Sequence, residues 1–177
     1  MDKRIAIFHR EECIRKLYKS ILEKAGYIIN AYNVSKATAT CEVLEKVVND
    51  DPLMVFLAVN YGSRLEILED NINFPEDRKG IQTLEMLKNN QITKNIPVIM
   101  VSASDSYAEE CTRKGANWYI HIDPMKFDAA ELVGVAKRLD LTEKLDKPGE
   151  ISDKYIIKIV VDSPSSIHIF SKKIGNS

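Results

Sequence analysis

Few residues of this chain have the types and spacing that chemistry demands. The three histidines, His9, His121 and His168, stand far apart and give no metal-ligand spacing. The three cysteines, Cys13, Cys41 and Cys111, are odd in number and lack a CxxC pair. They fit a reducing compartment and read as neither a disulfide framework nor a zinc site. No nucleophile is paired with a base, and there is no P-loop and no dinucleotide fingerprint. The chain is therefore not expected to be an enzyme, and neither a metal nor a cofactor is expected. What remains is a set of polar residues at the ends of apolar runs: His9-Arg10-Glu11-Glu12 after "RIAIF", Asn60-Tyr61-Gly62 after "LMVFLAV", Ser102 ending "IPVIMVS", and Asp123 after "WYIHI". A divalent cation at such a place would need several carboxylate oxygens, and an anion would need cations and hydroxyls. His9 is a candidate to titrate near neutral pH. Arg10 is a candidate to pair with Asp123 or Asp105, or to bind an anion together with Ser102. Glu11 and Glu12 read as solvent-facing acids in the first turn of a helix.

The elements that must position these residues alternate regularly. "RIAIF" (4–8), "YIINAY" (27–32), "LMVFLAV" (53–59), "IPVIMVSA" (96–103) and "WYIHI" (118–122) read as strands, and the continuous apolar runs among them suit strands covered on both faces. Helical periodicity runs through 11–26, where Ile14, Leu17, Ile21 and Leu22 share a face and Gly26 suits the stop. It recurs at 35–50, with Ser35 as the N-cap, at 79–90 with Ile81, Leu84 and Leu87 in register, at 106–116 closing at Gly115, and at 127–141. Five βα units imply a parallel sheet with helices on both faces. Residues 62–79 are a long connection where such units usually spend about 2–6 residues. Their Leu65, Ile67, Leu68, Ile72 and Phe74 predict docking on the domain or a groove for a partner. Residues 142–154 are charged, contain Pro148-Gly149 and read as a linker. Beyond them, 155–174 reads as two strands joined by a tight turn.

With 177 residues, 45% of them apolar, and a net charge of −1, the chain can bury an ordinary core. It carries no electrostatic footprint for nucleic acid or an anionic membrane. No span approaches membrane length, and the N-terminal apolar run is too short for a signal peptide. The expected compartment is the cytoplasm.

In order and spacing, several of these pieces resemble the receiver domain of two-component response regulators. "RIAIFHREECIRKLYKSILEKAGY" matches its opening in apolar spacing. "KGIQTLEMLK" resembles its Asp-Gly-started third helix, with Lys79 in place of Asp. "IPVIMVSAS" resembles the fourth strand, and "GANWYIHIDP" the Gly-Ala-x-x-Tyr … Lys-Pro ending. The resemblance covers roughly residues 3–140. It implies a doubly wound, flavodoxin-like five-stranded sheet of order 2-1-3-4-5, here with a C-terminal β-hairpin extension. It also implies a site of five residues: an acid pair that binds Mg²⁺, an aspartate that accepts the phosphoryl group, a Thr/Ser and a Lys. On this chain the acid pair falls on His9 and Arg10, the phosphoacceptor on Ala58, the hydroxyl on Ser102, and the lysine on Ile122 or Asp123. Only the hydroxyl is kept. Ser102 and Tyr119 match the pair whose rearrangement reports phosphorylation in the family, and Trp118, Tyr119 and Phe127 form the candidate partner surface. Alternation sends Trp118 and Tyr119 to opposite faces of the sheet, leaving one of them exposed.

The expected organisation is a receiver-like domain over 1–141 with an insertion at 62–79, a linker over 142–154, and a hairpin tail or the start of a further β-rich domain over 155–177. The expected function is a phosphorylation-independent bacterial signalling module that acts by protein–protein interaction, with a homodimer also open and no direct role for nucleic acid or membrane. The alternative is a small-molecule or anion sensor using the vacated pocket.

Overall fold

The computed structural model describes residues 3–35, 37–61, 78–122, 128–145, 155–163 and 166–173. Five strands, β1 (Arg4–Phe8), β2 (Ile28–Tyr32), β3 (Met54–Ala58), β4 (Val98–Ser102) and β5 (Trp118–His121), form one sheet in the order β2-β1-β3-β4-β5. Every pairing is parallel. The helices between and after them are α1 (Glu12–Lys24), α2 (Thr40–Asp50), α3 (Lys79–Asn89), α4 (Ala108–Arg113, preceded by a 3-10 turn at Asp105–Tyr107) and α5 (Ala129–Leu145). Two further strands, β6 (Tyr155–Ser163) and β7 (Ser166–Lys173), pair antiparallel with each other. The chain divides into two compact units, Met1–Asp140 and Leu141–Ser177.

Alternation along the buried strands builds a core on each face of the sheet. Ile5, Ile7, Met54, Phe56, Ile99 and Ile120 pack on one side with Tyr18 and Leu22 of α1 and Leu132 and Val135 of α5. Ala6, Phe8, Val55, Leu57, Val98 and Met100 pack on the other with α2, α3 and α4. Tyr18 takes the inward place on α1 that the periodicity assigned to Leu17, which is 38% exposed. The Tyr18 ring meets Phe56 edge-on at 6.0 Å between centroids, so the aromatic residue offers more area to the sheet than the leucine beside it. Ile81, Leu84 and Leu87 are all buried, as their register predicts.

Helix ends show where local chemistry decides. Gly26 (φ +94) and Gly115 (φ +95) end α1 and α4 in Schellman motifs. In the first, the Gly26 N–H donates to the Glu23 carbonyl and the Tyr27 N–H to that of Leu22; in the second, the Gly115 N–H donates to Thr112 and the Ala116 N–H to Cys111. Ser35 is not the cap of α2. Its N–H donates to Thr38 Oγ1 in a local turn, and the helix begins five residues later, at Thr40, where the Glu42 carboxylate accepts the Ala39 N–H. The last helix starts at Ala129 and continues to Leu145, into the segment read as linker. Residues 146–154 and the inserted segment 62–77 lie outside the described residues.

One contact fixes α3 against the sheet. The Gly80 N–H donates to the Val59 carbonyl at 3.0 Å, which satisfies an orphan donor of the first helical turn. A Cβ at this position would lie 1.9 Å from the Ala58 carbonyl oxygen and 2.5 Å from that of Val59. Both obstacles are strand backbone, so α3 itself would have to move. Gly80→Ala is therefore expected to destabilise the protein by about 1–3 kcal/mol, as overpacking does. This is read as a fall in thermal midpoint of several degrees, and an unchanged melting curve would show that the helix end is free to shift.

Candidate functional site

In a parallel sheet covered on both faces, the strand ends are where side chains can meet a ligand. His9 and Arg10 follow β1, Ala58 ends β3, Ser102 ends β4, and Ile122 follows β5. Backbone hydrogen bonds carry the strand pairing out to this rim: the Val59 N–H donates to the Val101 carbonyl at 3.0 Å and the Ile122 N–H to that of Ser102 at 2.7 Å. The sheet thus brings these five positions to one edge. Asp123 and Phe127 lie outside the described residues.

The side chains at this edge are organised differently from their sequence reading. His9 is expected to titrate near neutrality, but burial pushes its imidazole down to about 4, with the Glu11 carboxylate partly opposing that shift. It stays neutral at physiological pH, and its Nδ1 accepts the Glu11 N–H at 3.1 Å. Arg10 donates to Glu11 Oε1 at 2.9 Å, while Asp105, one of its expected partners, lies 2.9 Å from His121 Nδ1. Ile122 is 6% exposed and packs in the core on the α1 side, so it brings a hydrocarbon to one of the two positions where the resemblance implies an ammonium. Ala58 is 3% exposed. Glu11 and Glu12 are exposed, and Glu12 pairs with Lys16 one turn along α1. Among the described residues no group of three or more His, Cys, Asp or Glu side chains is placed to hold a metal ion.

Arg15 was not singled out by the sequence. Its Nη1 donates to the carbonyls of His9 at 2.7 Å and Arg10 at 2.6 Å and to Asn33 Oδ1 at 3.0 Å. One guanidinium on α1 therefore gathers the loop after β1 and the loop after β2. Lys79 reaches the Thr38 carbonyl at 3.4 Å and ties the start of α3 to the loop before α2. Tyr61, read as a loop residue, is 1% exposed and donates to Thr83 Oγ1 at 3.0 Å.

On the β4–β5 side a hydroxyl network holds the loop after Ser102. Ser102 is 8% exposed and its Oγ accepts the Ser104 N–H at 3.2 Å. The Tyr119 hydroxyl donates to the Ser104 carbonyl, and burial pushes its ionisation up to about 12, with a hydrogen bond to Ser102 opposing. Trp118 and Tyr119 do face opposite sides of the sheet, but neither is fully exposed: Tyr119 packs with the α3 and α4 side, and Trp118 packs with the α1 and α5 side under the Arg138 guanidinium, 5.9 Å from its ring.

No protein-family model matches the sequence, and no curated protein does. Solved structures do match. The receiver domain of NtrX from Brucella abortus is 23% identical, with a TM-score of 0.57 over 78% of this chain and 98% of its own. The chemotaxis response regulator CheY4 of Vibrio cholerae is 15% identical, with a TM-score of 0.57 over 78% of this chain and 99% of its own. A sensor protein from Polaromonas sp. JS666 is 19% identical, with a TM-score of 0.58 over 78% and 96%. The fold is that of a receiver domain. Strand order, the parallel sheet and the rim of strand ends all follow that plan. In receiver terms the rim of this chain carries a methyl group at the end of β3, a neutral imidazole and a guanidinium after β1, and a hydroxyl at the end of β4.

The neutral His9 has a measurable consequence. In the unfolded chain its imidazole takes up a proton below about 6.5, and in the folded protein only near 4. Its contribution to stability is whole above 6.5 and is lost as pH falls through that window, because the unfolded state binds the extra proton. Urea unfolding followed from pH 7 to pH 4 should show this loss, at most roughly 3 kcal/mol, and His9→Asn should remove it. The loops offer a second check. Arg15→Met should speed amide exchange at Arg10 and Glu11 about tenfold or more, because two part-buried carbonyls lose their donor. Equal exchange in both proteins would mean that the guanidinium only decorates the loop.

Proposed function

We propose that this chain is a receiver-like signalling module of a bacterial regulatory pathway that acts by protein–protein contact and without phosphoryl transfer. Ala58 carries this reading. The third strand delivers a buried methyl group to the place where the receiver fold exposes a carboxylate, and a methyl group has no lone pair to attack phosphorus. The surroundings support it. Metal binding would need carboxylates after β1, and this chain has His9, held neutral, and Arg10. A divalent ion about 5 Å from a guanidinium meets a repulsion of roughly 7 kcal/mol at an effective dielectric constant near 20. The hydroxyl network points the same way, since the Tyr119 hydroxyl already has its acceptor in Ser104.

On this reading the module is a cytoplasmic, non-enzymatic protein whose state is set by which partner occupies it. The contact surface is the corner between β5 and α4, where the Asp105–His121 pair is exposed and Trp118 and Tyr119 support the strand from its two sides.

Incubation with acetyl phosphate and Mg²⁺, followed by intact-mass measurement, tests the proposal. The mass should not change, and Ala58→Asp alone should not gain a phosphoryl group, because the acids and the lysine that support that chemistry are replaced as well. A hydroxylamine-labile phosphoryl adduct on the wild-type chain would overturn the reading.

A further inference from the structure

One buried side-chain oxygen at the rim has no hydrogen-bond donor. It is Oδ1 of Asn60, two residues beyond the end of β3. A buried acceptor left unpaired costs stability, and native chains keep few of them. A second group at the same edge is also unused. The neutral imidazole of His9 accepts the Glu11 N–H on Nδ1, so its own proton sits on Nε2. The hydrogen bonds of His9 among the described residues use Nδ1, the backbone N–H and the carbonyl, and none uses Nε2.

The sheet puts these two groups on one face. Phe8, Val59 and Tyr61 pack on the side of α2, α3 and α4. Alternation therefore turns their neighbours His9 and Asn60 to the opposite side, where Ile7, Phe56, Val101 and Ile122 pack. β1 and β3 are adjacent, with Phe8 level with Leu57. One step further His9 comes level with Ala58, and Asn60 follows two residues beyond. With strands about 4.8 Å apart and a rise of about 3.3 Å per residue, the backbones of His9 and Asn60 are about 8 Å apart. Ala58, between them, contributes only a methyl group.

We propose that His9 and Asn60 form a site for a primary carboxamide, whose carbonyl accepts the His9 Nε2–H and whose N–H donates to Asn60 Oδ1. Such a group carries an acceptor and a donor on one edge, as a donor and an acceptor on one wall require. Charge argues against the simple ions. A cation would meet the guanidinium groups of Arg10 and Arg15 at the loop after β1. A carboxylate would bring acceptor oxygens to Asn60 Oδ1, which can only accept. Val101, level with Ala58 on β4, suits the hydrocarbon that carries the amide. A glutamine or asparagine side chain of a protein partner supplies this chemistry, and so does a free small amide. The site goes beyond the contact corner at β5 and does not depend on it.

Titration of the full chain with propionamide, followed by the NMR signals of the His9 ring, tests this. His9→Phe assigns those signals by their loss. In the wild type they should shift saturably, with a dissociation constant on the order of millimolar. Propionate and N,N-dimethylpropionamide, which lack the donor, should bind at least about tenfold more weakly. A Gly-Gln-Gly peptide that binds more tightly than propionamide assigns the site to a protein partner, and one that binds no better assigns it to a free amide. Either result supports the carboxamide. Asn60→Leu should weaken propionamide binding about tenfold or more. It should also raise the thermal midpoint by about 2 °C or more, because an unpaired buried acceptor is removed. A purely structural amide would give a fall instead. Absence of a saturable shift overturns the proposal, as does equal binding of propionate. Undiminished binding by Asn60→Leu, or a lower midpoint in that variant, overturns it too.

Discussion

Every residue of β3 and of β4 is buried, because helices cover both faces of the sheet. That burial is the constraint from which the rest of the first unit follows. Strands enclosed in this way must be apolar along their length. They satisfy their backbone through each other and leave only their ends to meet solvent or a ligand. Each connection then has to seal a strand end without leaving a buried carbonyl or N–H unpaired. The Arg15 guanidinium does this for the loop after β1, Gly80 does it for the end of β3, and the serine network does it for the end of β4.

These seals bear on what the rim can do. A loop held by a divalent ion gathers oxygens around a charge that can come and go. A loop held by a guanidinium on its own α-helix gathers them around a charge that is always present. The carbonyls of His9 and Arg10 face such a fixed cation. Burial of His9 keeps the imidazole after β1 neutral at physiological pH. Both features favour a loop after β1 with one charge state, which on the proposed reading suits recognition by shape and contact better than a chemical cycle.

How much of this was legible in the sequence depended on the range of the interaction. The strand around Leu53–Val59 and the one around Val98–Ser102 were plain because a continuous apolar run is a local signal, and the glycine stops at Gly26 and Gly115 were plain for the same reason. The receiver order of strands followed once those pieces were seen in sequence. Ser35 misled because a serine before a helical run satisfies the local rule for a cap even when a turn with Thr38 uses it first. Leu17 and Tyr18 were exchanged because a leucine and a tyrosine one residue apart both fit the period, and only the position of Phe56 decides between them. Arg15 and Gly80 carried no local signal: one acts on carbonyls five and six residues before it, the other on a strand more than twenty residues away. The neutrality of His9 is likewise a product of burial, which no neighbouring residue announces.

The two aromatics of β5 show how a single strand can serve both cores and still shape a surface. Trp118 closes the α1 side under Arg138, and Tyr119 closes the α4 side with its hydroxyl on Ser104. Withdrawing Tyr119 from its place would expose half-buried aromatic area and release a hydrogen bond worth about 1 kcal/mol net, while the Ser104 carbonyl would be left to find another donor. The inward tyrosine is therefore the arrangement that this network favours. On the proposed reading, a partner that docks on this corner meets a loop already ordered, and it spends little of its binding energy on rearranging it.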